Sequence, residues 1–211
     1  MGRLVLIRHC ETESNVLGVV QGRKDLPLSS RGLRQTKMVC EYVNRSYSID
    51  RVISSDLSRC VETASGINAP LSTSPLLREL DFGEWEGQKW SDIRIRSPEL
   101  IRQLLMAAPD FMAPGGESYL SFTKRIERMI REENLRRSCE TIAVVTHDGA
   151  LRSLITSVLN WPVAALSDTT VFVGSVSSII IGDNIPRLDL LNYHDHLAPS
   201  YAAATESDQS K

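Results

Sequence analysis

Two histidines stand directly after short apolar runs: His9 after Leu4-Val5-Leu6-Ile7-Arg8, and His147 after Ile142-Ala143-Val144-Val145-Thr146. Arginines keep them company, Arg8 beside His9 and Arg59 soon after a third apolar run, Arg51-Val52-Ile53-Ser54. Branched runs of this length read as strands buried on both faces. Open α/β sheets hold their ligands at the carboxyl ends of such strands. One histidine there could simply end its strand. Two, in separate units and joined by two arginines in matching places, point to a shared site. A local cluster of positive groups of this kind is what an anion needs.

The chain as a whole offers no substitute for that cluster. Lys+Arg 24 against Asp+Glu 26 leaves −2, so no net basic field exists to hold nucleic acid or an anionic membrane. With 211 residues one domain is expected, able to bury roughly 70% of its unfolded surface. A hydrophobic share of 42% and a charged share of 24% exclude a collagen-like, disordered or membrane-embedded chain. Cys10, Cys40, Cys60 and Cys139 are scattered, with no Cys-x-x-Cys pair to suggest zinc or thioredoxin-like redox chemistry. The apolar run near the N-terminus is too short for a signal-peptide core, so reduced thiols and a cytoplasmic location are expected.

The elements that must position these residues follow from periodicity. Ser29-Ser30-Arg31-Gly32 opens a helical stretch with Leu33, Thr36, Cys40 and Val43 on one side. Asp56 suits the N-cap of a helix reaching about Ile67, and Ser97-Pro98-Glu99 places proline at a first helical position. A long helix is expected from about Ser118 to Arg137, with Tyr119, Phe122, Ile126, Met129 and Ile130 inward. Its outer face pairs Glu127 with Arg131, Arg128 with Glu132 and Glu133 with Arg137. Another helix spans Asp148 to Leu159. Strands are expected at Val171-Phe172-Val173, Val176 to Ile181 and Leu188 to Leu191, with a turn at Gly182-Asp183-Asn184. Strand–helix alternation early and adjacent strands late predict a three-layer α/β/α sandwich, its mostly parallel sheet carrying one antiparallel strand. One domain over 1–197 and a polar tail over 198–211 are expected; the late strands could form an edge that pairs a homodimer.

Several chemistries fail on spacing. His9-Cys10 superficially matches a cysteine-phosphatase loop, but Val16 stands where that loop needs arginine, so Cys10 is not the nucleophile, although its thiol could be accessible. Neither a Gly-x-x-x-x-Gly-Lys-Ser/Thr loop nor a Gly-x-Ser-x-Gly elbow is present. His194 and His196 alternate along an extended segment, yet without a third ligand in register they do not make a metal site.

The segment Leu6-Ile7-Arg8-His9-Cys10-Glu11-Thr12 resembles the Arg-His-Gly-Glu-Thr motif of the histidine phosphatase superfamily, in its phosphoglycerate mutase-like branch. The likeness continues through Asn15, Gln21-Gly22, Leu26-Pro27-Leu28-Ser29, Gly32 and Ser54-Ser55-Asp56-Leu57-Ser58-Arg59. It extends to Leu77-Arg78-Glu79-Leu80-Asp81-Phe82-Gly83-Glu84-Trp85-Glu86-Gly87, Gly115-Gly116-Glu117-Ser118 and Val145-Thr146-His147-Asp148-Gly149. Two departures stand out. Cys10 replaces the usual glycine, adding bulk beside the phosphate, and Asp148 adds a negative charge unless its side chain turns away, for instance as a helix cap.

The resemblance implies a phosphoglycerate mutase-like fold and a metal-independent phosphatase that hydrolyses a small phosphate monoester through a phosphohistidine. His9 would be the nucleophile and Glu79 the general acid that later activates water. Arg8 and Arg59 would grip the phosphoryl oxygens, and a protonated His147 would add a donor. Asn15, Gln21, Gly22 and the backbone N–H of Asp148 would bind substrate. His196, with Arg23 or Lys24, would meet a polar group at the pocket rim. No cofactor or metal is implied. Phosphoglycerate mutase-type transfer is the alternative within the family, disfavoured because Gly87 to Gly115 lacks the mutases' long basic insertion. A non-catalytic phospholigand-binding protein is the other, disfavoured because His9, Glu79 and both arginines are present.

Overall fold

A computed structural model of the chain describes residues 1–182 and 185–198. Asp183 and Asn184 of the expected turn, and the tail beyond residue 198, lie outside the described residues. The first apolar run forms β1 (Gly2–Arg8), whose Leu4, Val5, Leu6 and Ile7 are fully buried because helices cover both faces. The sheet continues with β2 (Arg51–Ser54), β3 (Leu71–Thr73), β4 (Thr141–Thr146), β5 (Val176–Ile181) and β6 (Arg187–Tyr193). Their order is β3-β2-β4-β1-β5-β6, and β5 runs against the other five.

Alternation along the strands divides the core in two. Leu4, Leu6, Ile53, Ile142 and Val144 face one layer, and Val5, Ile7, Val52, Ala143 and Val145 face the other. The second layer holds α2 (Ser30–Ser46) and α3 (Ser58–Ala64), following the short α1 (Glu13–Leu17). The first layer holds α6 (Tyr119–Glu132) and α7 (Asp148–Leu159), with α4 (Trp90–Arg96) and α5 (Pro98–Leu105) packed at its edge. Burying each large aliphatic side chain stabilises the fold by about 1.5–3 kcal/mol. Among the described residues no helix is long and apolar enough to cross a membrane.

Several local expectations change. Ser29 caps α2, accepting from the Gly32 N–H at 3.0 Å, but Leu33 points to solvent and Gln35, Thr36, Val39, Cys40 and Val43 form the inner stripe. Asp56 caps nothing, because both its oxygens are taken by Arg78 at 2.8 and 2.5 Å; α3 starts after Leu57. Helix α6 stops at Glu132 rather than Arg137, where Asn134 adopts φ +53°. Of its three expected pairs only Arg128–Glu132 forms: Glu127 meets Arg136, and Glu133 meets Arg51 from β2. The segment Val171-Phe172-Val173 is not a strand. It turns at Gly174 (φ +68°), whose N–H reaches the carbonyls of Arg8 and His9.

Candidate active site

Sheet register creates the site. Arg8 pairs with Thr146 across β1 and β4, so His9 and His147 leave neighbouring parallel strands at the same level, and the His9 N–H reaches the Thr146 carbonyl at 2.8 Å. Ser54 pairs with Val145, which places Ser55 alongside. The two imidazole rings lie 5.3 Å apart at 61°. They open on a cavity of about 260 Å³ lined also by Arg8, Arg59, Glu79 and Asp148.

The two ring nitrogens of His9 are placed unlike each other. Its Nδ1–H donates to the Cys10 carbonyl at 2.7 Å, which leaves the lone pair on Nε2. Burial, with Arg59 and Arg8 nearby, holds its proton affinity well below the ordinary histidine value, so the ring is neutral. The loop that carries it is fixed by close approach to α2. A Cβ on Gly32 would lie 2.0 Å from the Glu11 carbonyl oxygen, and Glu11 itself accepts from Ser29 Oγ at 2.8 Å.

Cys10 does not stand beside the phosphate cradle. Its backbone N–H donates to Thr63 Oγ1 at 2.9 Å, and its side chain packs with Val39 and Val43 against the α2–α3 face. Burial pushes its thiol up to about 12, so the thiol is neither accessible nor a nucleophile.

The guanidinium of Arg59 is almost fully buried and spends its donors on Gly22 O (2.7 Å), Lys24 O (2.8 Å) and His147 Nδ1 (3.3 Å). It therefore holds the 22–24 loop as well as the cavity wall. Because His147 Nδ1 accepts, its Nε2–H donates to Ser55 Oγ at 2.9 Å. Burial and then Arg59 lower its proton affinity well below the ordinary value. Burial and the surrounding cations thus work against the expected imidazolium. Arg8 donates to the Val171 carbonyl, while its buried Nε has no protein partner among the described residues.

Glu79 sits across the cavity, held at both oxygens by backbone: Leu80 N–H at 2.9 Å and Gly149 N–H at 3.0 Å. Arg125 of α6 clamps its carbonyl at 2.7 Å. A Cβ on Gly149 would fall 2.6 Å from Glu79 Oε1, so a larger residue there would push the carboxylate out of this position. Removal from water, and then Asp148, raise the carboxyl above its ordinary value despite those two donors. That keeps a proton on Glu79 to higher pH, as a general acid requires.

Asn15, Gln21 and Gly22 line the cavity, where the family motif puts them. Asn15 Oδ1 is occupied by Thr12 in a capping box, whereas Gln21 Oε1 is buried without a partner among the described residues. Asp148 is not a cap; the cap position belongs to His147, and Asp148 bonds Arg152 at 2.7 Å. His196 lies away from the cavity. It stacks on Tyr42 at 4.8 Å and 8°, and its Nε2–H donates to Gly174 O at 3.1 Å. Arg23 and Lys24 are also engaged elsewhere, with Asp81, Glu117 and the Glu86 carbonyl. His194 instead packs on Phe172, and among the described residues no three metal-ligating side chains converge. Arg152 and Tyr119, by contrast, line the cavity although sequence reasoning misses both. The i, i+4 spacing of Asp148 and Arg152 on α7 is the only signal for the first, and Tyr119 reads as plain core.

A family model described as histidine phosphatase superfamily (branch 1) matches residues 4–194. An adenosylcobalamin/alpha-ribazole phosphatase of Salmonella typhimurium is 33% identical over 194 residues, covering 90% of this chain and 96% of the relative. Phosphoserine phosphatase 1 of Hydrogenobacter thermophilus is 30% identical over 163 residues, covering 75% and 77%. Among solved structures, the alpha-ribazole phosphatase from Shigella flexneri superposes with a TM-score of 0.79 at 30% identity, covering 90% of this chain and 96% of that one.

Proposed function

The chain belongs to the histidine phosphatase superfamily, as a phosphatase of small phosphate monoesters, and from that premise we propose that His9 carries the phosphoryl group. The observation that carries this reading is the state of His9: neutral, its Nδ1–H committed to Cys10 O, its Nε2 lone pair flanked by two guanidiniums. Nε2 attacks phosphorus as the ester oxygen departs, and Glu79 gives that oxygen its proton. Water, deprotonated by Glu79, then attacks the phosphohistidine, releasing orthophosphate and restoring both groups. The charge on the equatorial oxygens is met by Arg8 and Arg59, with Gln21 and the Asp148 N–H at the start of α7 as further contacts. A bound dianion favours protonation of His147, which then supplies the donor that the neutral ring lacks. Four cysteines without a disulfide support a reducing, cytoplasmic setting for the enzyme.

Mixing the protein with a ³²P-labelled phosphate monoester and quenching should trap an acid-labile, alkali-stable label on His9, followed by orthophosphate at the steady-state rate. Label without release would favour phosphoryl transfer to another acceptor, and no label would sink the reading.

The pH profile follows from the directions of the two shifts. His9 must be neutral, and its lowered proton affinity places the acid limb of kcat/KM below the ordinary histidine value of about 6.5. Glu79 must be protonated, and its raised value places the alkaline limb above the ordinary carboxyl value of about 4.3. A bell-shaped profile is expected, widened on both sides relative to ordinary histidine and carboxyl values, with the alkaline limb abolished in Glu79→Gln. Retention of that limb in the variant would assign it to another group.

A further inference from the structure

The cavity has two unlike halves. Arg8, His9, Arg59 and His147 form the phosphate end. Much of the remaining lining is apolar, with Val20, Phe82, Leu104, Tyr119, Phe122 and Val163, most of them part of or packed on the same core cluster. Glu79 marks the junction, because the departing alcohol must lie beside the group that protonates it. Asp148 flanks this junction: the next residue, Gly149, is the one whose N–H holds Glu79 Oε2.

Asp148 also controls the arginine on this side. Its Oδ1 accepts from Arg152 Nε at 2.7 Å and its Oδ2 from Arg152 Nη2 at 3.4 Å, while Arg152 Nη1 is fastened to the Leu166 carbonyl. Oδ2 also lies 3.9 Å from Arg8 Nη1. The other cations nearby are committed: Arg23 to Asp81 and Glu117, Arg125 to Glu117, and Lys24 to the Glu86 carbonyl.

We propose that Asp148 is a specificity-determining residue: by cancelling Arg152 beside the leaving group, it selects phosphate monoesters whose alcohol bears no second negative charge. The proposal rests on the phosphatase reading above and names the substrate class of the same site. The balance of charge supports it. Among the described residues three arginines line the cavity, and Asp148 offsets one, leaving two positive charges for one phosphate dianion. A proton taken up by His147 serves the phosphate, and beside the leaving group Arg152, Arg23, Arg125 and Lys24 all have acceptors of their own, so among the described residues no uncompensated cation is left there for a carboxylate on the alcohol. The apolar walls instead suit an uncharged, hydrophobic alcohol.

Matched esters test this. Benzyl phosphate and its 3- and 4-carboxy derivatives share a leaving group of similar reactivity and differ by one charge. The parent enzyme should favour benzyl phosphate in kcat/KM by about tenfold, the order expected of one unpaired charge in a partly solvated site. In Asp148→Asn, which keeps the shape and removes the charge, at least one carboxy ester should gain about tenfold relative to benzyl phosphate. The ratio cancels any effect common to both esters, including a change at Glu79. Adding Arg152→Met to Asp148→Asn should restore the preference, and Arg152→Met alone should sharpen it. An unchanged ratio in Asp148→Asn, or a parent that does not discriminate, overturns the proposal. Absence of orthophosphate from every ester with the parent enzyme overturns the phosphatase reading instead, so the two failures are distinct.

Discussion

Replacing His9 with alanine is expected to cut orthophosphate release by about four orders of magnitude or more, because among the described residues no other imidazole lining the cavity has an unengaged ring nitrogen. His147 is the nearest candidate, but its Nδ1 accepts from Arg59 and its Nε2 faces Ser55. The donors around the phosphate survive the change, so a residual rate over the uncatalysed reaction should remain, as it does when a nucleophile is removed from other preorganised sites. Folding should barely suffer. His9 is neutral, and the lost bond to Cys10 O is worth about 1 kcal/mol. Steady-state kinetics with ³²P trapping, set beside thermal unfolding, checks both halves. Parental turnover in a folded His9→Ala variant would remove the covalent route from the mechanism.

Arg59→Met should do damage of two kinds at once. Losing the guanidinium proposed to meet the transferring oxygens is expected to cost about 10²–10³ in kcat. The same change strips donors from Gly22 O, Lys24 O and His147 Nδ1, so the 22–24 loop loses its anchor and KM should rise. Removing a buried charge relieves some desolvation, which offsets part of the loss of three bonds; the net destabilisation should be about 2 kcal/mol in urea unfolding. The two effects separate by pH. Arg59 is one reason both histidines resist protonation, so without it the acid limb should move to higher pH. Arg59→Lys should recover part of the charge effect and little of the loop anchoring, since an ammonium cannot span three acceptors in a plane. An unmoved acid limb would mean that the arginine acts on substrate alone.

How far the sequence discloses this arrangement depends on how local each cause is. The strand ends are readable because a buried parallel strand announces itself in a few branched residues, and His9, His147, Arg8 and Arg59 follow directly from those ends. Helix α7 is readable too, bounded by Asp148 and by the stop before Pro162. Glu79 is not readable from periodicity. Its place comes from the family motif, because nothing local says that a loop after β3 will reach the start of α7.

The misreadings share a physical origin in partners distant along the chain. Asp56 has the right type for a cap but is outbid by the bidentate Arg78. Val171 and Phe172 have strand propensity, yet the Val171 carbonyl and the turn at Gly174 serve Arg8 and His9. The Cys10 side chain follows the α2–α3 face, a direction set by where Thr36, Thr63 and Gly174 lie. His196 has the type and position of a rim residue, but Tyr42, from α2, claims its ring.

The alignment of Arg8 with Thr146 also divides the molecule mechanically. His9 and His147 hang from the two innermost strands, where local opening of the ladder is expected to be rarest. Helix α5, which lends Leu104 and Leu105 to the cavity, contains no buried residue. Adaptation to differently shaped alcohols therefore falls to that outer wall, and evolutionary drift there can retune the choice of ester without disturbing the chemistry.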